Sequence, residues 1–120
     1  MTYSPPPDGD AARLLRAAFH LARAIEHDAA WAWSRASSST RESVGGAEVE
    51  ALTEQTRTRG AARSRRWIKV ERFDSVGTDA AHYVRAVFAV SFASGPPMEE
   101  MVVLRHDEDG VWRLAGYAIR

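Results

Sequence analysis

Glu100 is the residue that most invites a chemical reading. Alternation along 98–106 places it between Met98 and Val102, on the side of a strand that also carries Leu104, so an acid stands where the pattern calls for core. A buried carboxyl has a raised pKa unless a cation or donor meets it, and such groups serve in proton transfer. The plainer alternative is a carboxylate near the sheet margin that binds an arginine or backbone N–H. The expectation is a paired acid with no open cavity beside it. His20, His27, His82 and His106 fall at no metal-ligand spacing, so no metal is expected. Ser37-Ser38-Ser39 has no neighbouring His or Asp motif, and neither a glycine-rich phosphate loop nor a dinucleotide fingerprint is present, so no cofactor is expected. The absence of cysteine removes thiolate and disulfide chemistry.

Arg57, Arg59, Arg63, Arg65, Arg66, Lys69 and Arg72 form a basic run opposed locally only by Glu71. Such density suits a phosphate backbone. The run nevertheless crosses a helix end, a loop and a strand with alternating side chains, and the 120-residue chain is neutral, with 16 Lys plus Arg against 16 Asp plus Glu. A solvated basic edge is expected first, an acidic protein partner next, and nucleic acid is disfavoured.

These groups must be positioned by one small domain, since 120 residues leave room for one core. A hydrophobic fraction of 45% with 27% charged residues excludes a wholly disordered chain. Residues 1–10, with Pro5-Pro6-Pro7 and no apolar run, read as an extended lead rather than a secretion signal, so a cytoplasmic location is expected. No run is apolar enough to span a membrane. Residues 11–120 form the domain. Asp8 or Asp10 can cap a first helix, whose Leu15, Ala18, Phe19, Ala22 and Ile25 make one apolar stripe, with Arg13, Arg16, His20 and Arg23 off it. Asp28 can cap a short second helix carrying Trp31 and Trp33. Ser37 to Gly46 has loop composition, and 47–59 favours a third helix anchored by Val49 and Leu52 and ended by Gly60.

From 65 onward the period becomes two, with strands expected over 65–73, 81–92, 98–106 and 111–119 joined by Ser75 to Asp79, Ser94 to Pro97 and Asp107 to Gly110. Short links give an antiparallel meander. The fold class is therefore α+β, two or three N-terminal helices packed on a curved four-stranded antiparallel sheet. The core face takes Ile68, Val70, Val84, Ala86, Phe88, Val90, Phe92, Val102 and Leu104. In the last strand Trp112, Leu114, Gly116 and Ala118 point inward. That leaves Trp67, Tyr83, Arg85, Arg105, Arg113 and Tyr117 outward, although a one-residue slip would reverse any strand.

The stretch Glu100-Met101-Val102 through Asp107-Glu108-Asp109-Gly110-Val111-Trp112-Arg113-Leu114-Ala115-Gly116-Tyr117 resembles a bacterial domain family of unknown function, the one numbered four thousand and nineteen. Ala24-Ile25-Glu26-His27-Asp28 through Trp33 is similar to an upstream segment of the same family. Met101 stands where Thr is usual and Leu114 where Val is usual. The likeness runs over residues 20 to 119, and its Asp-Gly-x-Trp-Arg hairpin also occurs in the cone-shaped folds similar to nuclear transport factor two. It implies helices packed into a curved antiparallel sheet and no established activity.

Function is read from the surface. Trp, Tyr and Arg dominate interface energetics, so the outer set Trp67, Tyr83, Arg85, Arg105, Arg113 and Tyr117 is expected to bind a protein, as in an immunity-type or adaptor protein. The alternative is a small-molecule or isomerase-like pocket between helices and sheet, lined by Trp31, Trp33, Phe88 and Glu100. Self-association into a homodimer is a third reading.

Overall fold

The computed structural model describes residues 9–75 and 81–120. Four helices, α1 (Gly9–His27), α2 (Ala29–Ser34), α3 (Ser38–Ser43) and α4 (Gly46–Arg59), precede four strands, β1 (Ala62–Asp74), β2 (His82–Phe92), β3 (Met98–His106) and β4 (Trp112–Ile119). Helix α1 opens at Gly9, inside the stretch expected to be extended, so Asp10 lies within the helix; Asp8 and the proposed turn at 76–79 lie outside the described residues. Its spacing of three and four does what a stripe should. Leu15, Ala18, Ala22 and Ile25 are buried with Leu14, while Arg13, Arg16, His20 and Arg23 are exposed. Asp28 caps α2 as its position suggested, accepting from the Trp31 N–H at 3.0 Å.

Between 37 and 46 the structure departs from the expected loop. Ser37 is fully buried, and its N–H donates to the Leu114 carbonyl at 2.9 Å. Pinned to the edge of the sheet, the chain winds residues 38–43 into α3 with Thr40 buried, a tertiary anchor overriding the local preference of serines for turns. In α4 the Glu48 carboxylate accepts from the Gly45 N–H at 2.6 Å, and Gly60 ends the helix at φ 76°.

The strands form an open antiparallel meander in the order β1-β2-β3-β4. Helices cover one face, giving a two-layer slab measuring 41 × 37 × 20 Å. Directly opposed residues share a face, so the register sorts every side chain. Trp67, Phe88, Glu100 and Ile119 form one inward row; Val70, Ala86, Val102 and Tyr117 the next; Arg72, Val84, Leu104 and Leu114 the third. The outward rows are Lys69, Val87, Met101 and Ala118, then Glu71, Arg85, Val103 and Gly116, then Phe73, Tyr83, Arg105 and Arg113.

This register corrects the expected facing in two strands. Two residues of β1 advance against one of β2 between Trp67 and Lys69, so Ile68 is a bulge residue rather than a core one. Ala115 is the corresponding extra residue of β4. Each bulge reverses the parity of its strand, which turns Trp67 and Tyr117 inward and Gly116 and Ala118 outward, the opposite of the strict alternation. Val70, Leu114 and the whole of β2 and β3 keep the expected sides.

Candidate functional site

The two bulges assemble the polar centre of the inward face. Arg65 of β1, brought to the same side as Val90, reaches Glu100 with Nε at 2.5 Å and Nη2 at 3.1 Å from its two carboxylate oxygens. Tyr117 of β4 donates its hydroxyl to Glu100 Oε2 at 2.5 Å. Glu26, near the end of α1, accepts from Arg65 Nη2 at 3.3 Å, and Arg59, at the end of α4, donates to the Tyr117 oxygen at 3.4 Å. Five side chains from five elements thus meet at one end of the slab.

Glu100 is completely buried in this cluster. Both its oxygens face charged or hydroxyl donors, the condition under which a buried carboxylate is tolerated. Burial lowers the tendency of Arg65 to stay charged, yet its bonds to Glu100 and Glu26 outweigh that, and the net shift is upward. For Tyr117, burial first and the Glu100 charge second push the phenol far above its ordinary value, so the proton stays on Tyr117 and is donated to the acid. The tyrosine oxygen is in turn occupied by Arg59. The arrangement binds sheet to helices; its acid has no free acceptor aimed at a substrate.

The expected alternative pocket does not form from its four residues. Trp31 is 51% exposed, with the Arg35 guanidinium 5.3 Å from its ring, and Glu100 lines neither of the clefts to which Trp33 and Phe88 belong. Trp33 and Phe88 line different clefts. Phe88 forms the floor of a cleft of about 350 Å³ between α1 and β1, with Leu15, Phe19 and Trp67 as walls and Arg16 and Arg66 at the rim. Trp33 belongs to a larger one of about 570 Å³, between α2, α4 and β4, where Leu52 and Tyr117 are apolar walls and Glu48 and Gln55 the polar ones.

The six expected partner-binding residues are also divided. Trp67 and Tyr117 belong to the inward face. Arg105 has outward parity but is only 4% exposed, sealed by a 2.6 Å bond to Asp107 Oδ1. Arg113 donates to Asp107 at 3.0 Å and to Asp109 at 2.8 and 3.0 Å. Tyr83 and Arg85 remain, joined by Phe73, which pattern reading passed over. The Phe73 and Tyr83 rings stack at 5.2 Å and 10°, and the Arg85 guanidinium lies 5.1 Å from the Phe73 centroid. The basic run disperses as its alternation implied: Arg57 pairs with Glu54, Arg59 stacks on Phe92 at 4.5 Å, Arg65 is buried, and Lys69 meets Glu71 at 3.1 Å.

Sequence reasoning missed Arg65, Glu26 and Arg59 as the partners of Glu100 because the β1 bulge carries no compositional mark. In β4 a mark existed. Gly116 inside a strand signals a bulge or a close approach, and a Cβ added there would lie 3.3 Å from the Val103 Cβ. Among the described residues no helix is long and apolar enough to cross a membrane, and no group of three or more His, Cys, Asp or Glu could hold a metal ion.

Helices backing one side of an open four-stranded meander, with an Arg-paired acid between the layers, define an α+β domain. The family model described as a protein of unknown function (DUF4019) matches residues 16–117, from the first half of α1 to Tyr117 in β4, and the chain belongs to that family. No curated protein and no solved structure matches the chain.

Proposed function

We propose that this is a non-catalytic binding domain that docks another protein on the sheet face its helices leave bare. The observation that carries the reading is the Phe73–Tyr83–Arg85 cluster. Phe73 is 36% exposed, its ring already stacked and rigid, and the buried Nε of Arg85 has no hydrogen-bond acceptor among the described residues. Rigid aromatics beside an arginine are the groups that contribute most at interfaces. Outward Met101 and Val103, both partly exposed, supply adjoining apolar surface, so a partner offering a carboxylate to Arg85 beside an apolar patch fits best. The saturation of Glu100 supports the absence of catalysis. The concrete form of the reading is an immunity-type or adaptor protein in a bacterial cytoplasm, and the bulged, helix-backed sheet supports a place among the cone folds similar to nuclear transport factor two.

The cleft beside Trp33 and Tyr117 favours a second reading, small-molecule binding between helices and sheet. A pull-down from the native host with wild-type protein and with the Phe73→Ser/Arg85→Glu variant separates the two. The expected result is a partner that the variant loses at an unchanged melting temperature. A partner retained in full by the variant would move the site away from this face.

A further inference from the structure

Arg16, Arg23 and Arg63 are exposed guanidiniums that meet no acceptor among the described residues, and all three border one seam between α1 and β1. Arg16 stands at the rim of the apolar cleft of about 350 Å³ formed by Leu15, Phe19, Trp67 and Phe88. Arg23 and Arg63 line a second cleft of about 250 Å³, together with Ser64 and one acid, Glu26. Phe19 and Arg65 border both clefts, so the apolar space and the cationic one adjoin. Phe19 is held there by an edge-to-face contact with Phe88 at 6.3 Å and by the Arg65 guanidinium 5.8 Å from its centroid. Glu26 already accepts from Arg65, whose other bonds go to Glu100, so these charges satisfy one another and those of Arg23 and Arg63 stay uncompensated. The position of Arg63 has a local cause. Ala62 faces Phe92 and Ser64 faces Ser91, which makes Arg63 an extra residue at the start of β1, outside the ladder.

We propose that this seam binds a small amphipathic carboxylate, its head group between Arg23 and Arg63 and its apolar tail past Phe19 in the cleft floored by Phe88. A carboxylate offers two oxygens, one to a guanidinium from α1 and one to a guanidinium from β1, and the Ser64 hydroxyl adds a neutral donor. Leu15 and Arg23 are eight residues apart on α1, about 12 Å along its axis, a span that an extended chain the length of decanoate covers. Apolar walls with a few polar groups to orient the ligand are the usual composition of a small-molecule site. A second copy of the chain is disfavoured as the occupant, because a two-fold contact across the seam sets the same arginines against each other. The seam lies on the helix-covered side of the sheet, so the docking face of Phe73, Tyr83 and Arg85 is not used.

Titration calorimetry on the full chain, below the micelle concentration of each probe, tests this with decanoate, butyrate and decylammonium. Decanoate is expected to fill one site with Kd on the order of 0.1 mM. Butyrate, lacking most of the tail, should bind at least about 100-fold more weakly, and decylammonium, with the tail but the opposite charge, at least about tenfold more weakly. The Arg23→Gln/Arg63→Gln variant should lose at least about tenfold in affinity for decanoate. Its melting temperature should be unchanged, since neither side chain bonds to another described residue. In the wild-type protein the Trp67 indole resonance must move along the same binding curve, which reports the tail without relying on any variant. A titration without saturation, butyrate or decylammonium matching decanoate, a Trp67 resonance that stays still, a folded variant with wild-type affinity, or a dimer that the variant dissociates would each overturn the assignment.

Discussion

Two buried carboxylates flank β3, and they are held in different ways. Glu100, near its start, takes its partners from across the fold: Arg65 stands 35 positions away and Tyr117 17, each delivered by a bulged strand. Asp107, just past its end, takes two of three partners locally. Arg105 is two residues back and Arg113 six ahead, across the Asp-Gly turn, and the third is the buried Ser37 hydroxyl at 2.8 Å. The first is therefore a tie between layers that exists only when the whole sheet is registered. The second belongs to a hairpin and needs one distant residue.

The difference is sharpest on removing a partner. Glu100→Leu leaves Arg65 buried with only Glu26, partly exposed and 3.3 Å away, and is expected to cost about 3–5 kcal/mol in urea unfolding. The Arg65→Met/Glu100→Leu double variant should recover most of that loss, because an apolar pair of similar volume needs no desolvation of charge. A double variant no more stable than Glu100→Leu would mean the cluster contributes through something besides its ion pair.

How far this comparison was legible differs between its halves. The helix stripe, the limits of the last three strands and the inward side of Glu100 follow from periodicity, since 3.6 and 2.0 are properties of the backbone itself, whereas β1 starts at Ala62, three residues before the expected 65. The partners of Glu100 do not, because a bulge adds a single residue and exchanges the faces of everything beyond it. Trp67 and Tyr117 moved from the expected outer surface to the interior for that reason alone. Around Asp107 the turn residues were readable. What was not was Ser37, whose burial depends on a main-chain bond to β4 that no local pattern records, and with it α3.

Asp107→Asn should cost less than the loss of Glu100, about 1.5–3 kcal/mol, as expected for hydrogen bonds to a charged group. Burial opposes ionisation of Asp107, but the bonds from Ser37, Arg113 and Arg105 outweigh it and hold the group below the ordinary value of 3.8. A carboxylate with a depressed native pKa adds stability that is complete above the unfolded value and fades as pH falls through the native one. The wild-type melting temperature should therefore fall on acidification below about pH 4, and that acid-induced fall should be smaller in Asp107→Asn. Equal falls in both proteins would place the acid sensitivity elsewhere.

The smallest effect is expected two residues further on. Asp109 makes a bidentate pair with Arg113, and those hydrogen bonds, with one from the Val111 N–H, bring its carboxyl to about 2. Its side chain is 52% exposed, however, against 7% for Asp107, so water solvates the charge nearly as well without the arginine. Asp109→Asn should lower the melting temperature less than Asp107→Asn does. The remaining effect should disappear in about 1 M salt, where screening acts within roughly 3 Å, while the Asp107 effect persists because two of its three partners, Ser37 and Arg105, share its burial. If the two substitutions lost the same stability and responded alike to salt, exposure would not be what separates them, and the turn would act as one network in which either acid serves Arg113.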